Sequence, residues 1–155
     1  MESQAGRGTI FTLTFPAARW AGHAGVPEAA PANRRRARVL VVDDEPQVLN
    51  VLGDMLKRAG HEVTAVASGD ESLRAFAPGR FDVVLTDIGM DSMNGWQLTE
   101  RIREHDESVS VLFVTGWGLH DGERARLQKL RVRDCLFKPV RPTDLDAAVQ
   151  AALPA

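Results

Sequence analysis

Apolar residues from position 38 onward fall into short continuous runs that alternate with longer stretches of helical spacing. The runs predict buried strands at residues 39–42, 61–67, 81–86, 109–114 and 135–137. After each run, apolar residues recur every three or four positions, which predicts a helix. Strands that alternate with helices are typical of a parallel sheet covered by helices on both faces. The pattern therefore predicts an α/β fold with a doubly wound, five-stranded parallel sheet.

Residues that start or stop helices stand between these segments. Pro46 occupies a position typical of a first helical residue, with Asp44 or Glu45 before it as the cap. Gly60 is expected to end this helix, and a weakly amphipathic helix is predicted over residues 119–130. The other helices are expected to follow a capping box or a glycine, at Ser68 with Glu71, at Gly95, and at Thr143 with Asp146.

Polar residues follow the predicted strands at the point where each strand ends. In chain order these residues are Asp43 and Asp44, then Asp87, Thr115 and Lys138. The carboxyl ends of parallel strands meet at one edge of the sheet, where ligands of such folds bind. Each residue alone has an ordinary interpretation, since Asp44 is a possible helix cap and Asp87 a possible turn residue. Their joint placement favours a functional site.

Three carboxylates, a hydroxyl and an ammonium group at one edge suit phosphoryl transfer. Mg²⁺ binds carboxylate oxygens in proteins and relieves the repulsion between clustered acids. An aspartate can attack a phosphoryl group to form an aspartyl phosphate, while a metal ion and a lysine neutralise the phosphoryl oxygens. A serine or cysteine nucleophile with a partnering base is not apparent in the sequence.

The composition limits the other classes of function. The chain has 155 residues with a formal net charge of −2, so no general affinity for nucleic acid or membranes is expected. Cys135 is the only cysteine, which excludes an intramolecular disulfide and gives no zinc-binding pattern. The apolar runs are too short for a membrane helix, and the N-terminus lacks the features of a signal peptide. A cytoplasmic location is expected, although a longer parent could be attached to a membrane.

Four segments together resemble one known family. They are Val-Val-Asp-Asp-Glu-Pro at residues 41–46, Leu-Thr-Asp-Ile-Gly-Met at 85–90, Val-Thr-Gly at 114–116 and Phe-Lys-Pro at 137–139. In this order they resemble the signature segments of the receiver domain of two-component response regulators. The resemblance covers residues 37–155 and implies a flavodoxin-like (βα)₅ fold with strand order 2-1-3-4-5.

The resemblance also implies a role for each residue at the edge of the sheet. Asp87 would accept the phosphoryl group, and Lys138, which would precede a cis peptide bond to Pro139, would pair with it. Thr115 would be the switch hydroxyl that moves toward the phosphoryl group. The implied ligands of Mg²⁺ are Asp44, Asp87, Asp43 largely through water, and the backbone carbonyl of Gly89.

The chain departs from the family pattern at two further positions. Asp91 stands where the family often has proline, and Cys135 stands where it usually has a switch aromatic residue. The residue to which the threonine is usually coupled is therefore not aromatic in this chain. Trp117 or Phe137 is a candidate to fill the space beside Cys135.

The segment before the predicted sheet differs in composition and charge. Residues 1–16 resemble the last strand region of a histidine-kinase ATP-binding domain, and residues 17–36 read as a linker rich in Pro, Ala and Gly. Residues 1–36 carry a net charge of +3 against −5 for the remainder. The arginine run at 33–38 is interpreted as a solvated flank rather than a nucleic-acid patch. The chain is thus expected to be the C-terminal part of a hybrid sensor histidine kinase, without kinase activity of its own.

These inferences predict a phosphorelay receiver that takes a phosphoryl group from a histidine kinase or a histidine phosphotransfer domain. Phosphorylation would switch a protein-binding surface formed by the 119–130 helix, the fifth strand and the last helix, in a monomer or weak dimer. The alternatives are a stand-alone response regulator, a non-phosphorylated interaction module and an aspartate-dependent phosphatase. The phosphatase is disfavoured because Asp91 lies four residues after Asp87 rather than two. All four histidines are predicted at the surface or in loops, at positions 23, 61, 105 and 120.

Overall fold

Residues 2–4, 8–10, 34–116 and 118–154 are described by the computed structural model of the chain. The chain divides into two units, Met1–Asn33 and Arg34–Ala155. In the first unit, strands Glu2–Gln4 and Gly8–Ile10 pair in antiparallel orientation. The predicted boundaries of a kinase remnant at 1–16 and a linker at 17–36 stay predictions, because residues 11–33 lie outside the described residues.

The second unit consists of strands that alternate with helices. The strands are β1 Arg38–Val42, β2 Glu62–Val66, β3 Val83–Thr86, β4 Ser110–Thr115 and β5 Val132–Phe137. The helices are α1 Pro46–Arg58, α2 Gly69–Ala75, α3 Gly95–His105, α4 Asp121–Lys129 and α5 Pro142–Ala152. All strands are parallel in the order β2-β1-β3-β4-β5, so the predicted fold class and strand order are confirmed.

Alternate residues of the central strands face two separate cores. In β1, Val39 and Val41 pack toward α1 and α5, whereas Leu40 and Val42 pack toward α2 and α3. Each of these four side chains is at most 1% exposed. Burial on both faces explains why these strands read as continuous apolar runs rather than as alternating patterns.

The predicted helix caps are confirmed in part. The Ser68 hydroxyl accepts from the Glu71 N–H, but the Glu71 carboxylate accepts from the N–H of Ala67 rather than Ser68. Helix α1 begins at Pro46 as predicted, and the side chain of its cap residue, Glu45, makes no cap hydrogen bond. β5 is longer than predicted, starting at Val132 rather than at residue 135.

The predicted capping box at Thr143 and Asp146 is wrong. His61 lies in the loop before β2, as predicted, but its side chain is buried and not at the surface. Helix α5 begins at Pro142, and Asp146 faces the interior, where its Oδ1 lies 3.0 Å from Nε2 of His61. The His61 side chain is fully buried, and its Nδ1 accepts from the N–H of Ala37 at 3.2 Å. The Asp146 carboxylate therefore pairs with a distant side chain instead of capping its own helix.

The arginines before β1 are exposed, as predicted, and two of them, Arg34 and Arg35, also contact α5 and the residues that follow it. Arg34 Nε is 3.2 Å from Asp146 Oδ2. The backbone N–H and carbonyl of Arg35 bond reciprocally to the side chain of Gln150, at 3.0 and 2.7 Å. The Arg35 guanidinium also donates to the carbonyl of Pro154. The second unit therefore begins before β1, at Arg34.

Within the described residues, no helix is both long and apolar enough to cross a membrane.

Candidate functional site

Three of the predicted site residues meet at the carboxyl edge of the sheet. Asp43 follows β1, Asp87 follows β3, and Lys138 follows β5, so the ends of the strands bring the three side chains together. Lys138 Nζ lies 2.8 Å from Oδ2 of Asp43 and 2.8 Å from Oδ2 of Asp87. One ammonium group thus bridges two carboxylates.

The bridging position fixes the charge of Lys138. Burial disfavours the ammonium form, but the hydrogen bonds and charges of Asp43 and Asp87 outweigh burial and raise the pKa of Lys138 above its ordinary value. The backbone N–H of Lys138 donates to the carbonyl of Thr115 at 2.8 Å, which fixes the end of β5 beside β4. The peptide bond between Lys138 and Pro139 is cis, as predicted.

The second oxygen of each carboxylate is held by a backbone N–H group. Asp43 is fully buried, and its Oδ1 accepts from the N–H of Glu45 at 2.9 Å. Asp87 is 7% exposed, and its Oδ1 accepts from the N–H of Gly89 at 3.2 Å. These bonds restrict rotation of both side chains, so the two carboxylates are held in position before any ligand binds.

Glu45 is a member of the site that the sequence analysis did not assign. One carboxylate oxygen each from Asp43, Glu45 and Asp87 lies within 4.8 Å of the others. Glu45 Oε1 is also 3.9 Å from Lys138 Nζ. The signal was present in the sequence, because a third acid directly follows Asp43 and Asp44. Carboxylate oxygens at this spacing fit a hard divalent cation such as Mg²⁺.

Asp44 has a different contact in this structure. Its Oδ2 accepts from the backbone N–H of Asp91 at 2.9 Å, which ties the end of β1 to the loop between β3 and α3. Asp44 and the Gly89 carbonyl stay predicted metal ligands. Thr115 ends β4 at the same edge and is fully buried.

Cys135 lies beside Phe113 in the register of β4 and β5. The thiol is partly buried and packs against the core on the α3 side of the sheet. Phe137, a candidate to fill the space beside Cys135, is 51% exposed, and its part there stays a prediction. Trp117, the other candidate for that space, lies outside the described residues.

We predict that Cys135 reacts slowly with alkylating agents in the folded protein. Burial, together with the negative charges of Asp134, Glu123 and Asp87, raises the pKa of the Cys135 thiol to about 11. Relative to a thiol of pKa 9.0, the thiolate fraction at pH 8 is then about 100-fold lower. Iodoacetamide labelling at pH 8 is expected to be slower by about that factor in native than in urea-unfolded protein. Equal rates in the two states would contradict the prediction, and the single cysteine makes the readout unambiguous.

Comparison with known families agrees with this geometry. The family described as "response regulator receiver domain" matches residues 39–150. The chain belongs to this family. It is a receiver domain of two-component signalling, and the resemblance found in the sequence is confirmed.

Proteins similar to this receiver domain include long sensor proteins. Over 99% of its length, the chain is 33% identical to the virulence sensor protein BvgS of Bordetella bronchiseptica, and it spans 14% of that protein. It is 34% identical to the sensor histidine kinase RcsC of Escherichia coli over 66% of its length, and spans 11% of that protein. The chain therefore corresponds to a small part of these curated relatives.

Solved receiver structures share the fold. A response regulator receiver domain protein from Clostridium thermocellum is 32% identical with a TM-score of 0.66, covering 75% of this chain and 93% of that chain. The chemotaxis protein CheY4 of Vibrio cholerae is 27% identical with a TM-score of 0.69, covering 77% of this chain and 100% of that chain. Both similarities agree with the five-stranded order of the sheet.

Proposed function

We propose that Asp87 accepts a phosphoryl group from a phosphohistidine of a partner protein. The observation that carries this assignment is the Lys138 ammonium group, which lies 2.8 Å from Asp87 and from Asp43. A cation at this distance orients the Asp87 carboxylate and is positioned to pair with the phosphoryl oxygens that arrive. The test is a gain of one phosphoryl mass from acetyl phosphate that requires Asp87.

The proposed transfer is a substitution at phosphorus. A carboxylate oxygen of Asp87 forms the new O–P bond while the N–P bond of the phosphohistidine breaks. The electron pair of that bond returns to the imidazole nitrogen, which takes a proton from solvent. Asp87 then carries an acyl phosphate, and the imidazole of the partner's histidine is left neutral.

The acidic residues around Asp87 fit a bound Mg²⁺. Asp43, Glu45 and Asp87 offer carboxylate oxygens, with Asp44 and the Gly89 carbonyl as further proposed ligands. Bound Mg²⁺ would supply positive charge to the phosphoryl oxygens. The Gly89 N–H bond orients Asp87, Lys138 supplies the protein's own cation, and Thr115 is the proposed switch hydroxyl at the end of β4.

The surface next to Asp87 fits a histidine-bearing partner. An apolar groove of about 550 Å³ runs between α1 and the loop after β5, and Lys138 lines one end of it. Val51 is 51% exposed and lines this groove together with other apolar side chains, so it is part of an exposed apolar patch. A partner that delivers a phosphohistidine to Asp87 has to cover the surface beside Lys138. We therefore assign the groove to the helix of the partner that carries the histidine.

Replacing Val51 with aspartate should slow transfer from the partner but not from a small donor. A charge in the groove loses apolar contact and has to be desolvated on docking, so transfer from a phosphorylated histidine phosphotransfer domain should fall about tenfold or more. The rate with acetyl phosphate should stay within about twofold. Asn50→Asp places the same charge on the same helix outside the groove and is the matched control. Equal loss with both donors would contradict the docking assignment.

We further propose that this receiver belongs to a cytoplasmic region of a sensor histidine kinase. The similarity to the virulence sensor protein BvgS extends over 99% of the chain and so includes the N-terminal segment interpreted as a kinase remnant. In this arrangement the kinase would be the phosphoryl donor or would be regulated by the receiver. ATP-dependent labelling of Asp87 in the intact parent protein tests the assignment, and a parent without a kinase domain would contradict it.

A further inference from the structure

A polar cavity lies at the edge of the sheet opposite Asp87. This cavity of about 510 Å³ lies between the end of α3, the start of β4 and the start of β5. We call it the arginine groove. The polar residues that line it are Arg103, Glu107, Ser108, Gln128, Arg131 and Arg133. The site around Asp87 lies at the other ends of the same strands.

Arg103 contributes a half-buried cation to the groove. Its guanidinium donates to backbone carbonyl oxygens, including those of Val109 at 2.7 Å, Leu130 at 3.0 Å and Arg131 at 3.2 Å. All of its hydrogen bonds within the described residues go to carbonyls, so Arg103 acts there with no bonded carboxylate, and the charges of Asp106 and Glu107 reach it only from nearby. Burial, and next the charge of Arg131, lowers the pKa of Arg103. A bound anion would offset the repulsion between Arg103 and Arg131.

Two backbone irregularities occur at the other two arginines. Arg131 has a φ of 52°, a left-handed conformation in which glycine or asparagine is far more usual. The register between β4 and β5 shifts after Val111, because its partner is Val132 and the next pair is Leu112 with Asp134. Arg133 is therefore the additional residue of a bulge, a feature that re-aims side chains. Irregular backbone of this kind is enriched at functional sites.

The charge of the groove is not balanced by its own acids. Glu107 is the one acid lining it; its side chain is 75% exposed and pairs with Arg131 at 3.3 Å. The nearby Asp106 carboxylate accepts from the N–H groups of Gly79, Ser108 and Val109. The lining residues thus carry a net charge of +2 on a chain whose net charge is −2.

We propose that the arginine groove binds a small molecule with two or more phosphoryl groups. Guanidinium groups present paired N–H donors that match phosphate oxygens, and Arg131 and Arg133 are the two that can offer them in this concave site. Arg103 adds positive charge, since its own N–H groups are largely bonded to backbone carbonyls. The amide of Gln128 offers a further donor, and the volume is in the range of small-molecule sites. An acidic peptide spaces its carboxylates along an extended backbone, so few of them would reach a groove of this size.

The test is a titration of the full chain with sodium tripolyphosphate. The buffer contains EDTA, so that the carboxylates around Asp87 hold no metal, and backbone amide shifts are followed by NMR. The expected shifts centre on residues 107–109 and 131–133. The double variant Arg131→Gln with Arg133→Gln should bind about tenfold or more weakly. Arg58→Gln, an exposed arginine on α1, should bind within about twofold of wild type.

Several outcomes would overturn the proposal. They are shifts centred on Lys138, equal weakening in the Arg58→Gln control, and a tetraglutamate peptide that binds as tightly as tripolyphosphate. Both side chains are exposed, so the double variant is expected to fold like wild type. An unchanged midpoint of urea unfolding checks that weaker binding does not result from misfolding. A comparison with ADP distinguishes the sources of the ligand: tighter binding of ADP indicates a nucleotide, and equal binding indicates free polyphosphate.

Discussion

Asparagine in place of Asp87 should abolish phosphorylation of the chain. With acetyl phosphate and Mg²⁺, the wild-type protein is expected to gain about 80 Da in intact-mass measurements, and Asp87→Asn none. The amide lacks the ionised oxygen that attacks phosphorus. It also removes the carboxylate that Lys138 bridges at 2.8 Å to Asp43, so both the nucleophile and its electrostatic partner are lost.

Asp91→Asn is the matched control for this experiment. Asp91 is an exposed aspartate of the loop that follows Asp87, and only its backbone N–H contacts the site, through Asp44. Its variant should be phosphorylated like wild type, and EDTA should prevent the adduct in both proteins. An adduct that persists in Asp87→Asn would place the acceptor elsewhere. If wild type neither forms an adduct nor responds to beryllofluoride with Mg²⁺, the chain is a non-phosphorylated interaction module.

The sheet and its functional edge could be predicted from sequence because both depend on short-range patterns. Buried parallel strands appear as apolar runs, and parallel strands necessarily bring their carboxyl ends to one edge. Asp43, Asp87 and Lys138 each directly follow such a run, so their meeting follows from the topology. Glu45 was missed although a third acid visibly follows Asp43 and Asp44, because its part in the site depends on the direction of its side chain, which spacing does not reveal.

Long-range pairs were beyond the sequence analysis. Asp146 has the spacing of a capping box with Thr143, but it bonds instead to His61, 85 residues away in sequence, and to Arg34. Burial of His61 between β1, β2 and α5 makes a nearby carboxylate more favourable inside the fold than at the helix end. Such competition between a local and a distant partner is decided by packing alone.

Alanine at Gly95 should be strongly destabilising, because the backbone of the acceptor loop approaches this glycine closely. A Cβ atom there would overlap the Asp87 carbonyl oxygen and stand 3.0 Å from its carbonyl carbon. The same carbonyl accepts from the Thr86 hydroxyl, and the Gly95 N–H donates to Ile88, so neither chain segment can shift alone. We expect a loss of about 2 to 4 kcal/mol in the free energy of unfolding. Phosphorylation of the folded fraction should also slow, because relief of the overlap displaces Asp87.

Gly53→Ala separates this steric effect from the general effect of adding a methyl group to glycine. Gly53 lies within α1, where a Cβ would meet only the Cγ1 atom of Val63, at an ordinary contact distance of 4.0 Å. Because alanine costs less backbone entropy than glycine in a helix, this variant should gain about 0.5 to 1 kcal/mol. Urea denaturation of the two variants measures both values. Similar stabilities of Gly95→Ala and wild type would mean that the loop after β3 can shift at little cost in free energy. Asp87 would then not be held rigidly by α3.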